Sequence, residues 1–134
     1  LDGVERNLSR GEILEQMLRL QSLLPRDERL SHIVMMGMGE PLANLPRVLE
    51  ALNVASDSQY GLGISPRRIT ISTVGLPPAI KKLASTHMPY HLAISLHAPN
   101  DRLRTRIVPV NRNSGIDEIM EAAEHAFRET GRRL

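Results

Sequence analysis

Apolar positions along the chain alternate between a helical period and short unbroken runs. Ile13, Leu14, Met17, Leu18, Leu20 and Leu24 recur at helical spacing behind Ser9 and Glu12, which stand at capping-box separation. Pro25 ends that first helix. Ile33-Val34-Met35-Met36 is apolar without a break, the pattern of a strand buried on both faces in a parallel sheet, and it gives way to Gly37-Met38-Gly39-Glu40-Pro41. Asn44 is placed to cap a second helix, with Pro46 in its first turn and Val48, Leu49, Leu52 and Ala55 on its apolar face. Gly61 and Gly63 mark a loop. The β-branched run Arg68-Ile69-Thr70-Ile71-Ser72-Thr73 predicts a second strand, closed by Val74-Gly75. Pro77 and Pro78 open a short third helix that faces inward through Ile80, Leu83 and Ala84, and Tyr90-His91-Leu92-Ala93-Ile94-Ser95 is a third strand. Asn100 caps a short turn through Leu103, and Ile107-Val108-Pro109-Val110 is expected to be extended. A last helix starts near Ser114, packs Ile116, Ile119, Met120, Ala123 and Phe127, and closes at Gly131.

The order α-β-α-β-α-β-α implies right-handed βα units around a parallel sheet, and three strands cannot close a barrel. All three strands end in small or polar groups: Gly37, Gly39 and Glu40; Ser72, Thr73 and Gly75; Ser95 and His97. In such a sheet those ends share the carboxyl edge, where α/β folds bind ligands. Each group taken alone has a structural explanation. The glycines and Pro41 fit a plain turn, a strand-end Ser or Thr commonly caps the next helix, and a lone histidine is more often structural than a ligand. Their convergence is what predicts a site.

With 134 residues the chain reads as one domain, residues 1–134, with room for a real core. It carries no apolar run of membrane-spanning length and no signal peptide, so a cytoplasmic protein without a membrane partner is expected. There is no cysteine, which excludes disulfides and a cysteine-ligated metal within these residues. The net charge of +2 is unevenly spread. Residues 58–115 hold eight basic side chains (Arg67, Arg68, Lys81, Lys82, Arg102, Arg104, Arg106, Arg112) against Asp101 alone. Such a stretch suits a phosphate-bearing partner, although solvated arginines are the commoner explanation; Arg67, Arg68, Arg102, Arg104 and Arg106 could line an RNA face and are equally able to pair with Asp117, Glu118, Glu121 and Glu124 of the last helix.

Three segments taken together carry a resemblance. Met36-Gly37-Met38-Gly39-Glu40-Pro41, Arg68-Ile69-Thr70-Ile71-Ser72-Thr73-Val74-Gly75 and Ala93-Ile94-Ser95-Leu96-His97-Ala98-Pro99-Asn100-Asp101 resemble the core of the radical S-adenosylmethionine (SAM) RNA methyltransferases of the RlmN/Cfr type. Arg106-Ile107-Val108-Pro109-Val110-Asn111 is similar to the next segment of that family, so the likeness covers nearly the whole chain in order. Gly-Glu-Pro is shared loosely by many radical SAM enzymes, whereas Ser-Leu-His-Ala-Pro-Asn is far more specific. The resemblance implies a fragment of a partial (βα)6 barrel with SAM across the strand ends beside a [4Fe-4S] cluster. It assigns Gly39 and Glu40 to the methionine amino group, Ser72 to a polar group of SAM, and Ser95, Leu96 and His97 to a third contact. A carboxylate suits an ammonium, and replacing Glu40 by Gln is expected to weaken SAM binding and leave the fold intact. The implied reaction methylates carbon 2 of an adenine in 23S ribosomal RNA and in tRNA, by way of a methyl-carrying cysteine and radical attack on the ring.

The sequence also departs from that family. Its cluster cysteines, spaced Cys-x3-Cys-x2-Cys, would precede Leu1, since Leu1-Asp2-Gly3-Val4-Glu5-Arg6-Asn7-Leu8 resembles the family's stretch immediately after them. The methyl-carrying cysteine and a further SAM-contacting asparagine would lie beyond Leu134. The chain, which opens without an initiator methionine, is therefore expected to be the central piece of an enzyme and inactive alone. Methylation at adenine carbon 8 rests on the same motifs. A catalytically dead SAM- or RNA-binding module is a further alternative, with only Tyr60, Tyr90 and Phe127 available to stack bases. A dinucleotide-binding domain fits poorly, because Gly37-Met38-Gly39 runs into Glu40, which would set a carboxylate against a pyrophosphate. Unpaired sheet edges predict that the fragment self-associates.

Overall fold

In the computed structural model, residues 5–134 are described; the Leu1-Asp2-Gly3-Val4 opening of the resemblance lies outside them. Helix α1 (Arg10–Ser22) starts as the sequence predicts. Ser9 Oγ accepts from the Glu12 amide, and the Glu12 carboxylate takes the Ser9 amide at 2.8 Å, closing the capping box. Arg6 adds a 2.5 Å ion pair to the same carboxylate, and these bonds, Arg6 foremost, pull its pKa from 4.5 to about 2. Strand β1 (Ile33–Met35) is followed by a 3-10 turn (Pro41–Asn44) and helix α2 (Leu45–Ser56). Asn44 does not cap α2 with its side chain; its Nδ2 donates to the Leu8 carbonyl at 2.8 Å and ties α2 to the approach of α1. Strand β2 (Ile69–Thr73), helix α3 (Pro77–Ala84) and strand β3 (His91–Ile94) come next in the predicted order.

The strands form one parallel sheet ordered β1-β2-β3, in which Ile33 pairs with Ile69 and Ile71 with Leu92. Alternate strand residues Ile33, Met35, Ile69, Ile71, Leu92 and Ile94 point into a core shared with α1, α2, α3 and the last helix. Leu52, Ile69, Ile71 and Ile80 are fully buried there, as is Ile119 outside that cluster, each worth about 1.5–3 kcal/mol. The opposite sheet face is open. Val34 and Met36 are exposed, so β1 is not buried on both faces as its unbroken apolar run suggests. An open sheet of three strands receives helices on one side, and β1 is at its edge.

Two further elements depart from the sequence reading. Helix α4 runs Asp101–Ile107, four residues past the expected turn, with Asn100 capping it through Leu103. Only Val108, the residue directly before Pro109, is extended, and Pro109–Arg112 is a 3-10 turn. Helix α5 (Ile116–Thr130) starts from Gly115, next to the expected Ser114. Its first amide is satisfied by Asp101 of α4, whose Oδ1 accepts from Ile116 N at 2.9 Å. Gly131 closes α5 in the left-handed conformation at φ 66°, as glycine allows. The apolar faces differ in part from the periodic pattern: Leu18 and Leu20 of α1 and Met120 and Phe127 of α5 are exposed, while Ala122 and Ala126 are buried. Met120 and Phe127 line an open cleft of about 450 Å³ beside Ile94 and Leu96, along the free edge of β3. No described helix is long and apolar enough to cross a membrane.

Candidate functional site

Because all strands run parallel, their carboxyl ends do converge. β1 leads into Gly37 and Gly39, whose φ of 139° and 96° only glycine adopts without strain. A Cβ on either would meet no atom of the chain within 4 Å, so this backbone borders open space. Glu40 is next, half-buried, and its carboxylate is fixed on both sides. Oε1 accepts from the Leu42 amide and Oε2 from the Val74 amide beyond β2, each at 2.9 Å. Glu40 thus caps the turn after Pro41 and also fastens the end of β1 to the end of β2. Each carboxylate oxygen retains a lone pair for a further donor. These two hydrogen bonds count against the expectation that Glu40→Gln spares the fold. Glutamine offers one acceptor oxygen where the backbone presents two donors, so one amide loses its partner.

Ser72 and Ser95 come together across the β2–β3 pair. Their hydroxyls stand 3.5 Å apart, Ser72 buried and Ser95 half-buried, and the Ser95 amide extends the ladder to the Thr73 carbonyl at 2.8 Å. Thr73 turns its hydroxyl back to accept from the Gly75 amide at 3.0 Å and closes a local turn; it does not cap α3, whose start has no side-chain cap. Gly75, at φ 98°, brings this end within 2.7 Å of Ile119 Cδ1 for any added Cβ. Leu96 is half-buried, and His97 is exposed with φ 63°, a left-handed conformation rare outside glycine. The structure therefore brings Gly39, Glu40, Ser72, Ser95, Leu96 and His97 to one edge, as the sequence predicts.

The basic residues do not gather in the same way. Arg67 and Arg68 precede β2, at the amino edge, about 16 Å of strand away from the site. Arg104 is fully buried and cannot line a surface. Arg102 and Arg106 are exposed on α4, beyond the carboxyl end of β3. Among the described residues no ion pair joins any of these arginines to the acids of α5; the pairs present are Arg6–Glu12, Arg19–Glu15 and Arg47–Glu50. Sequence reasoning missed the roles of Arg104 and Asn111, both buried at the back of the site and bonded to one another.

Comparison with known proteins places this geometry. The profile of the radical SAM superfamily matches residues 3–132. A probable dual-specificity RNA methyltransferase RlmN of Rhodopirellula baltica is 72% identical over 134 residues, covering 100% of this chain and 36% of its own length. Its namesake in Mycolicibacterium gilvum is 52% identical, covering 98% of this chain and 37% of its own. The crystal structure of a radical SAM methyltransferase from Sphaerobacter thermophilus superposes with a TM-score of 0.87 at 41% identity, covering 98% of this chain and 38% of that one. The chain thus spans little more than a third of the length of these relatives. With three neighbouring strand ends assembled and nearly the entire chain matched, the chain belongs to the radical SAM superfamily.

Proposed function

We propose that this chain forms the SAM-binding core of a longer cytoplasmic radical methyltransferase that modifies carbon 2 of adenine in 23S ribosomal RNA and tRNA. One observation carries the reading: Gly39 and Glu40, Ser72, and Ser95-Leu96-His97 converge on an open carboxyl edge of three adjacent parallel strands. The names of the relatives, which are RNA methyltransferases, support the substrate class.

The superfamily implies SAM and a [4Fe-4S] cluster. SAM fits the residues present. Its ammonium needs carbonyl and carboxylate acceptors, which Gly39 and the pre-fixed Glu40 provide, and the paired Ser72 and Ser95 hydroxyls serve its other polar groups. When bound, SAM supplies the methyl group. The glycine backbone admits it closely, Glu40 orients its amino end, and Leu96 and His97 border it from β3. The cluster does not fit this chain: iron–sulfur centres are held by thiolates, and none of the 134 residues is cysteine. On the RNA side, exposed Arg102 and Arg106 lie on α4, which comes after the strand that ends in Ser95-Leu96-His97, and suit phosphate.

Incubating the full-length, cluster-loaded enzyme with SAM and either RNA, then digesting to nucleosides for mass spectrometry against standards, tests this. The expected product is 2-methyladenosine. Exclusive 8-methyladenosine would transfer the chain to the sister activity, and SAM binding without any methylated adenine would favour a dead binding module.

A further inference from the structure

Arg104 is the only charged side chain buried among the described residues, with no exposed surface. A guanidinium without water is costly unless each donor finds an acceptor. Among the described residues it takes part in no ion pair, and its fork instead spans three separate segments. Nε donates to the Leu96 carbonyl at 3.0 Å, one terminal nitrogen to the Val74 carbonyl, and the other to Asn111 Oδ1. Asn111 is held in turn: its Nδ2 donates to Asp101 Oδ1 and to Thr105 Oγ1, each at 2.9 Å.

Two of these acceptors sit directly behind site residues. The Val74 peptide that gives its carbonyl to Arg104 gives its amide to Glu40. Leu96 lies between Ser95 and His97, and His97 keeps its left-handed backbone immediately beyond. An arginine serving only to fill the core would need acceptors but not these two, one on each shoulder of the site. We propose that Arg104 is a positioning residue for SAM binding, its rigid fork setting the spacing between the Glu40 shoulder and the Ser95-Leu96-His97 shoulder. Lysine keeps the charge but is a single point on a flexible stem and does not reproduce the planar fork. This inference rests on the SAM site proposed above.

The test is SAM affinity, by calorimetric titration into the full-length reconstituted enzyme below its melting temperature, beside circular dichroism. Arg104→Lys is expected to retain the wild-type spectrum and to bind SAM about tenfold more weakly, as supporting residues behind a site typically do. A purely structural arginine would lower the melting temperature and leave affinity within twofold of wild type, which overturns the inference. If Arg104→Lys does not fold, Asp101→Ala decides, because Asp101 is exposed and acts only by holding Asn111 and the start of α5. Weakening by about threefold supports the role, and unchanged affinity overturns it. Gly39→Ala serves as the site control. If it too binds SAM like wild type, the site reading itself falls, and this inference with it.

Discussion

Gly39 and Gly75 form a matched pair that separates backbone strain from packing and from ligand space. Both have φ near +97°, at 96° and 98°, so an alanine at either meets a similar backbone penalty of about 1–2 kcal/mol. Their surroundings differ. The added Cβ at position 75 stands 2.7 Å from Ile119 Cδ1 and 3.0 Å from its Cγ1, in a helix that cannot retreat without opening the core. Overpacking of that kind adds about 1–3 kcal/mol. At position 39 the Cβ meets nothing within 4 Å. In the full-length enzyme, denaturant unfolding should show Gly75→Ala destabilised by about 2–5 kcal/mol and Gly39→Ala by about 1–2 kcal/mol. SAM affinity should run the other way. Gly39→Ala places a methyl in the space proposed for SAM and should weaken binding about tenfold or more, about 1.4 kcal/mol, while folded Gly75→Ala binds within a few-fold of wild type. Equal destabilisation of the two, or a larger affinity loss at position 75, would refute the reasoning.

The same structure yields three other outcomes. Replacing Arg102 and Arg106 together with Ala should reduce the salt dependence of RNA binding by about one unit of log–log slope per lost phosphate contact, whereas Arg67→Ala with Arg68→Ala, at the far edge, should leave it unchanged; filter binding at graded salt reads both. Glu12 keeps its charge in the folded state down to about pH 2, so its contribution to α1 is complete above its ordinary pKa of 4.5 and disappears as pH falls toward 2. The stability gap between wild type and Glu12→Gln should therefore shrink over that window, as followed by urea titration at each pH. The chain of residues 1–134, expressed alone, leaves β1 and β3 with one free edge each and should self-associate, which a monomeric mass by light scattering at high concentration would contradict.

Much of this fold is legible in the sequence because local chemistry and global fold agree where the chain is regular. Ser9 and Glu12 mark a helix start by reciprocal bonding, and β-branched runs broken by glycine mark strands whose ends share one edge. The features that the pattern does not reveal depend on contacts distant in sequence. Asn44 is a good cap by composition, but the Leu8 carbonyl, 36 residues earlier, competes for it. The cap of α5 is Asp101, 15 residues away, where local reading offers only Ser114. Val34 and Met36 are apolar like core residues, yet they line the open face, whose covering no local pattern dictates. Arg104 looks like one of a row of solvated arginines as long as the turn after Asn100 stops at Leu103. Once α4 is helical to Ile107, Arg102 and Arg106 share a face four apart and Arg104 points the opposite way, inward.

Glu40 is where structural and functional readings meet. Its two oxygens hold the amides of Leu42 and Val74, so Glu40→Gln forfeits one bond and should lower stability by about 1–3 kcal/mol, toward the lower end because the site is half-open. That loss occurs whether or not SAM binds there. The deciding quantity is the dissociation constant for SAM, measured by calorimetry on reconstituted full-length Glu40→Gln below its melting temperature. If the strand ends hold the amino group, the constant rises about ten- to hundredfold, because an ammonium largely stripped of water is left without its carboxylate. A destabilised Glu40→Gln that binds SAM within twofold of wild type would leave Glu40 as a cap alone and place the cofactor elsewhere.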